Sequence, residues 1–553
     1  MLIKKLFSTA HRKIGFPITL ILLIISICSE LSAQPFVSKV WVADNGNGTY
    51  RNPVINADYS DPDAIRVGDD FYMIASSFNQ VPGLPVLHSK DLVNWTLIGH
   101  ALKRQPPYDV FNKPQHGNGV WAPAIRYYNK EFYIYYPDPD FGIYLTKATN
   151  ITGPWSEPVL VQAGRGLIDP CPLWDDDGRV YLVHGYAGSR AGIKSVIVVK
   201  ELNKTGTKVT GEGVVVFDGH EADPTLEGPK FYKRNGYYYI FAPAGGVSTG
   251  WQLVFRSKNI YGPYEKRIVM AQGKSPVNGP HQGAWVTTQK GQDWFLHFQD
   301  KDAIGRVVHL QPMKWINDWP VIGVDQVGNG TGEPVLQYAK PNVGKAWPIR
   351  TPADSDEFNG TALGFQWQWQ ANPQETWAYM FPAKGVLKMF ARPIPDSAKN
   401  LWEVPNVLLQ KFPADEFTVT TKLKITPAIK PTGEKMGLTT MALSYANIAV
   451  KRGKDGQQYI VYTTCTDADR GQKEIEKEIR KFTGQEVYLR MQFFRDTSYR
   501  FSYSFDGSRF TEVGGMKARP GKWIGIKMGL FATSEYSIND AGFMDVDWFR
   551  VTK

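Results

Sequence analysis

The chain has 553 residues, too many for a single hydrophobic core, so at least two domains are expected. Its formal charge of +10 is spread along the sequence without a basic stripe, which argues against a nucleic-acid partner. Three cysteines are too few for a disulfide scaffold or a Cys-rich metal site.

Residues 1–33 read as a cleavable export signal, with a basic start ("MLIKKLFSTAHRK"), an apolar run ("FPITLILLIISIC") and "SELSAQ", where cleavage after Ala33 leaves Gln34 first. The run is short for a membrane span, and Ile27 precedes Cys28 where a lipid anchor would need a small residue. A secreted or periplasmic protein without stable membrane insertion is expected. The remaining Cys171 and Cys465 lie far apart and are expected to stay unpaired.

From about residue 48 to 340 one pattern recurs: a short polar motif, then a turn, then an aromatic strand. The copies are "SDPDAIRVGDDFYMIAS", "WAPAIRYYNKEFYIYY", "IDPCPLWDDDGRVYLVHG", "EGPKFYKRNGYYYIFAP" and "HQGAWVTTQKGQDWFLHFQD". Their heads, Asp61, Trp121, Asp169, Glu227 and His281, follow one another at roughly 50–60 residues, the period of a propeller blade. Gly68-Asp69-Asp70, Asp177-Gly178 and Asn235-Gly236 are hairpin signals. The reading is all-β, with a five-bladed β-propeller whose innermost strands bring the five heads into one funnel. A Pro- and Gly-rich stretch over 341–354 reads as a linker. Alternating strands over 355–553 read as a β-sandwich, in which the charged run Lys473 to Lys481 suits an edge strand or a solvated face.

Three of the five heads are carboxylates. Converging carboxylates can form ion pairs, hold a hydrated calcium or magnesium ion, or cleave a glycosidic bond, which needs one protonated and one ionised carboxyl. A third carboxylate helps to hold the acid protonated by like-charge repulsion. The aromatic share of 13% suits blade packing and also stacking on a sugar face.

Taken together, "SDPD", "WAP", "IDPCPLWDDDG", "EGPKFYKRNGYYY" and "GRVVHLQPMKW" resemble glycoside hydrolase family 43, and "VPGLPVLHSKDLVNW" resembles its β-xylosidase and α-L-arabinofuranosidase members. The segment from "DEFNGTALGFQWQWQ" to "MDVDWFRV" resembles the concanavalin-like sandwich that accompanies such propellers. The resemblance implies an inverting enzyme with Asp61 as general base, Glu227 as general acid and Asp169 as the residue that modulates and orients the acid. It also implies that Arg306 and Trp121 meet the sugar. Phe78, His281, Gln282 and Trp251 are further expected around the substrate. Many relatives place a histidine near the axis to help hold a hydrated cation. Here Gln282 takes that slot beside His281, so no cofactor or catalytic metal is expected, and a structural Ca2+ is left open at the axis or in the sandwich. Cys171, where many relatives have serine, is read as a small buried thiol. "GVSTG" (246–250) fits a serine nucleophile elbow, but a strand rather than a helix follows it.

The expected function is hydrolysis of xylosyl or arabinofuranosyl linkages in xylo- or arabino-oligosaccharides and polysaccharides, with β-xylosidase ahead of α-L-arabinofuranosidase. The rival from another class is a non-catalytic glycan-binding propeller.

Overall fold

The computed structural model describes residues 36–553, so the expected export signal lies outside it. The described residues build five four-stranded sheets in succession, at 63–102, 124–163, 167–218, 230–270 and 281–322. Each sheet is an antiparallel meander in simple sequence order, which makes it one blade of a five-bladed propeller. The predicted hairpins turn the first strand of a blade into its second. Gly68, Gly178 and Gly236 sit there at φ of 62°, 79° and 74°, a conformation a Cβ disfavours.

Most of the aromatic residues fill the seams between blades. Tyr135, Tyr136, Tyr181 and Tyr239 are fully buried. Phe241 of the fourth blade packs on Phe295 and Trp315 of the fifth, with ring centroids 6.1 and 6.4 Å away. Each such burial stabilises the fold by roughly 1.5–3 kcal/mol. The ring is closed from outside the blades: Thr49–Arg51 pairs with Gln337–Ala339, Ile55 bridges Val308, and the Tyr50 hydroxyl donates to Leu310 O at 2.8 Å.

The stretch expected to be a linker is laid against the propeller instead. Val343 is buried, and Lys340 pairs with Asp44 and Asp91. Ser38 donates from its amide to Thr351 and from its hydroxyl to Asp354. Beyond it, a seven-stranded and an eight-stranded sheet close a sandwich over Leu423, Leu438, Ile448, Leu489, Phe501, Leu530 and Phe549. The charged run forms the edge strand Ile475–Phe482, where Glu476 pairs with Lys435 and Lys451. Charges on an edge discourage pairing with other chains.

The sandwich is joined to the propeller by shared backbone and shared core. Val81 and Trp369 exchange amide bonds of 3.0 and 2.6 Å, and Asn79 donates to Gln370 O at 2.5 Å. His116 stacks on Trp402 at 3.4 Å and 10°. Ala303, Ile304 and Val307 of the propeller belong to the sandwich's own apolar cluster.

Candidate active site

The side chains at the funnel are aimed by local backbone distortion. In the third and fifth blades the ladder between the first two strands slips at Asp169 and at Gln282. Asp61, Asp169 and Gln282 take left-handed φ values of 55°, 57° and 36°, and in the fourth blade Thr225 does so at 57°. A bulge re-aims a side chain that would otherwise lie between blades, at a strain of about 1–3 kcal/mol per residue. The four polar side chains Asp61, Asp169, Glu227 and Arg306 thereby open into one cavity of about 240 Å3. Phe78, Trp121, Thr225, Val247, Gln282 and Trp523 complete its wall.

Each carboxylate has its own surroundings. Asp61 is buried, accepts from Ser76 Oγ at 2.5 Å through one oxygen, and meets Arg306 Nη1 at 3.2 Å through the other. Such charge-assisted bonds are about twice as strong as neutral ones and fix the carboxylate's orientation. Asp169 is buried and accepts from the Gly228 amide at 2.7 Å. Burial, and then the neighbouring Glu227, push its carboxyl up to about 7. Glu227 is the most open of the three, with 27% of its side chain exposed, and shares a 2.9 Å hydrogen bond with His281 Nε2. The three thus combine a charge-paired anion, a carboxyl inclined to hold a proton, and a carboxyl at the mouth linked to an imidazole. Acid–base cleavage of an acetal needs one protonated and one ionised carboxyl, and carboxyls in such different surroundings can supply them.

The aromatic wall is edge-on. The Trp121 ring lies 6.5 Å from Phe78 and 6.0 Å from Trp523, and its Nε1 donates to Gly117 O at 2.8 Å. Arg190 lies over the same indole at 5.2 Å. Trp523 comes from the sandwich, on the loop "ARPGKWIG". That loop is pinned to the propeller where the Gly525 amide donates to Asp58 Oδ2 at 3.0 Å and Ile526 N donates to Ala303 O at 2.8 Å.

Two expectations for substrate contacts are corrected. His281 is buried behind Glu227 and reaches the cavity only through it, because the bulge gives Gln282 the inward position. Trp251 does not line the cavity: its ring packs under Gly245, whose Cβ would fall 2.5 Å from it, and Gly246 and Val247 form the wall instead. The "GVSTG" segment is a turn followed by the strand Trp251–Ser257, without a helix. Asp58 accepts from Arg306 N and Gly525 N, and Asp63 from Ile125 N and Arg126, so both fix backbone and neighbours, as Asp70 does through Lys90 and His88. Cys171 is buried, unpaired, and accepts from Arg126 at 2.7 Å and Phe231 N at 3.2 Å.

Sequence reasoning missed Trp523, Ser76 and Thr225. The only cue for Trp523 was a tryptophan framed by Gly521 and Gly525 in a loop.

The raised carboxyl of Asp169 has a consequence for stability. A carboxyl held at about 7 in the fold, against an ordinary value of 3.8, favours folding fully below about pH 4, and that contribution is lost as pH rises through 7. Asn mimics the neutral acid and tolerates a left-handed φ. Asp169→Asn is therefore expected to melt higher than the native protein at pH 8, on the order of 2–4 kcal/mol more stable, with the gain gone by pH 4. Melting curves at both pH values check this; an equal change at both would contradict it.

The family model for glycosyl hydrolases family 43 matches residues 50–320, and that for the β-xylosidase C-terminal concanavalin A-like domain matches residues 355–552. The chain is 40% identical over 506 residues to a putative β-xylosidase of Xylanibacter ruminicola, covering 90% of this chain and 88% of that protein. It is 31% identical over 418 residues to a non-reducing-end α-L-arabinofuranosidase of Bacteroides ovatus, covering 71% and 74%. In fold it resembles the crystal structure of a xylan β-1,4-xylosidase from Bacillus halodurans, with a TM-score of 0.79 at 23% identity over 91% of this chain and all of that one. A propeller with three carboxylates at its mouth, a sandwich built against it and these two matched regions agree: the chain belongs to glycoside hydrolase family 43.

Proposed function

We propose that this glycoside hydrolase is an exported β-xylosidase that releases xylosyl units from xylo-oligosaccharides with inversion at the anomeric carbon. The observation that carries the reading is that Asp61 and Glu227 enter one cavity from the first and fourth blades, Asp61 buried against Arg306 and Glu227 partly exposed against His281. Asp61, paired with Arg306, takes the proton of a water as that water attacks the anomeric carbon. Glu227 gives its proton to the departing glycosidic oxygen as the carbon–oxygen bond breaks. Asp61 then releases its proton to solvent and Glu227 takes one back, which resets the pair. Asp169, bonded to the Gly228 amide, lies beside Glu227, and the negative charge of either carboxyl disfavours that of the other. Phe78, Trp121 and Trp523 offer apolar surface to a sugar ring.

Preference for xyloside is supported by the putative β-xylosidase named above, which matches more of the chain at higher identity than the arabinofuranosidase. Turnover of an aryl β-xyloside against an aryl α-L-arabinofuranoside tests it. A higher kcat/KM on the xyloside is expected, and a tenfold advantage for the arabinoside would make the second reading, α-L-arabinofuranosidase, the correct one. Export rests on the leader pattern and predicts Gln34 as the mature N-terminus by mass spectrometry. A secreted protein still starting at Met1 would refute it.

A further inference from the structure

One side chain crosses the propeller. Lys230 opens the first strand of the fourth blade, and its ammonium donates to Pro123 O at the head of the second blade, at 3.1 Å. The third blade packs between those two, so the bond reaches past a whole blade on the inner side of the ring and not across a single seam. Lys230 is 1% exposed and forms no ion pair among the described residues. An ammonium so placed has lost its water, which costs several kcal/mol unless opposite charge is near.

The surrounding groups leave one counter-charge for it. From the second blade, Arg126 is bonded to Asp63 at 2.7 Å and donates to Cys171 of the third. From the fifth, Arg306 is paired with Asp61 of the first, and His281 is bonded to Glu227. The Tyr232 hydroxyl, on the fourth blade, accepts from the Trp285 amide. Asp169 remains, a carboxylate with one backbone donor, and that donor is Gly228, two residues before Lys230 in the chain. In electrostatic terms, Lys230 and the Gly228 amide favour the Asp169 anion against burial and Glu227.

A divalent ion does not fit the same place. Calcium takes six to eight oxygen ligands, yet among the described residues no three His, Cys, Asp or Glu converge to hold a metal. Gln282 offers one buried oxygen without a partner, but its side chain is wedged against Gly228, where a Cβ would come within 2.4 Å. His281 is turned to Glu227. A second cation there would also face the ammonium at short range.

We propose that Lys230 is a cation built into the propeller axis, a positioning residue that sets the charge state of the carboxylates above it where a bound metal would otherwise be needed. The inference rests on the acid–base reading of that site. Removing a buried positive charge makes every carboxylate around it easier to protonate. Both limbs of the pH–rate profile should therefore move up together in Lys230→Met.

The experiment is the pH dependence of kcat/KM on an aryl β-xyloside for the native protein, Lys230→Met and Lys230→Arg, with melting curves, together with EDTA and added Ca2+ on the native protein. A bell-shaped native profile is expected, with both limbs raised by about one unit in Lys230→Met and near their native positions in Lys230→Arg, whatever the loss in turnover. Native activity and melting should not respond to EDTA or Ca2+. Lower turnover in Lys230→Met with both limbs in place would reduce Lys230 to packing and overturn the proposal. So would loss of native activity in EDTA with recovery in Ca2+, a result that also decides the matter should Lys230→Met fail to fold. A native protein without a bell-shaped profile would instead refute the acid–base reading itself.

Discussion

Glu227→Ala is expected to lose about a thousandfold in kcat on xylo-oligosaccharides and far less on a dinitrophenyl xyloside. General acid catalysis contributes roughly 10²–10⁴, and it does so by protonating an oxygen that would otherwise leave as an alkoxide. A dinitrophenolate needs no such help, so the deficit should shrink with the leaving group. Glu227 is the most exposed of the three carboxylates and is hydrogen-bonded to His281. Asp61→Ala should behave differently. Its partners Ser76 and Arg306 fix it inside the cavity, and a water must be activated whatever departs. It is expected to lose a comparable factor on both substrates. Steady-state rates on the two substrate types separate these patterns, and equal losses for Glu227→Ala on both would overturn its assignment as the acid.

Ending the chain near Lys340 is expected to abolish activity and to give a protein that melts far lower or does not stay soluble. The cut would strip a wall from the cavity, because Trp523 belongs to the sandwich. It would also expose Ala303, Ile304 and Val307, which pack into the sandwich core, and leave Asp58 without the Gly525 amide. Asp58 also accepts from Arg306 N, so the same carboxylate ties the sandwich loop to the arginine that pairs with Asp61. Thermal melting and turnover of the shortened chain measure the effect. Full activity with unchanged melting would show the sandwich to be an appendage.

The fivefold repeat was legible because each blade restates the same local problem: a polar head, a tight turn, then a buried aromatic strand. The turn glycines and the charged edge strand Ile475–Phe482 follow from equally local chemistry. The three carboxylates were legible as heads of those repeats. What was not legible depends on displacement by a single residue or on docking over long distances. The bulge at Gln282 turns that side chain to the cavity and His281 behind Glu227, although both were expected around the substrate, and bulges leave no periodic trace in a strand pattern. Trp251 was misplaced because two glycines, Gly245 and Gly246, carry the chain past the cavity before the strand begins. Trp523 reaches the cavity only once the sandwich has docked, and the supposed linker proved to be packed for the same reason. Nothing in the strand pattern marks Lys230; only its bond to Pro123 shows that it reaches the second blade.

In the proposed mechanism Asp61 and Glu227 act from opposite sides of the sugar, with a water between the base and the anomeric carbon. Inverting carboxyl pairs stand about 6.5–9.5 Å apart to admit that water, and retaining pairs about 5–5.5 Å. Proton NMR of the first product released from xylobiose or an aryl β-xyloside, recorded before mutarotation, reads the outcome directly. The account predicts α-xylose as the first-formed anomer, and first-formed β-xylose would contradict it.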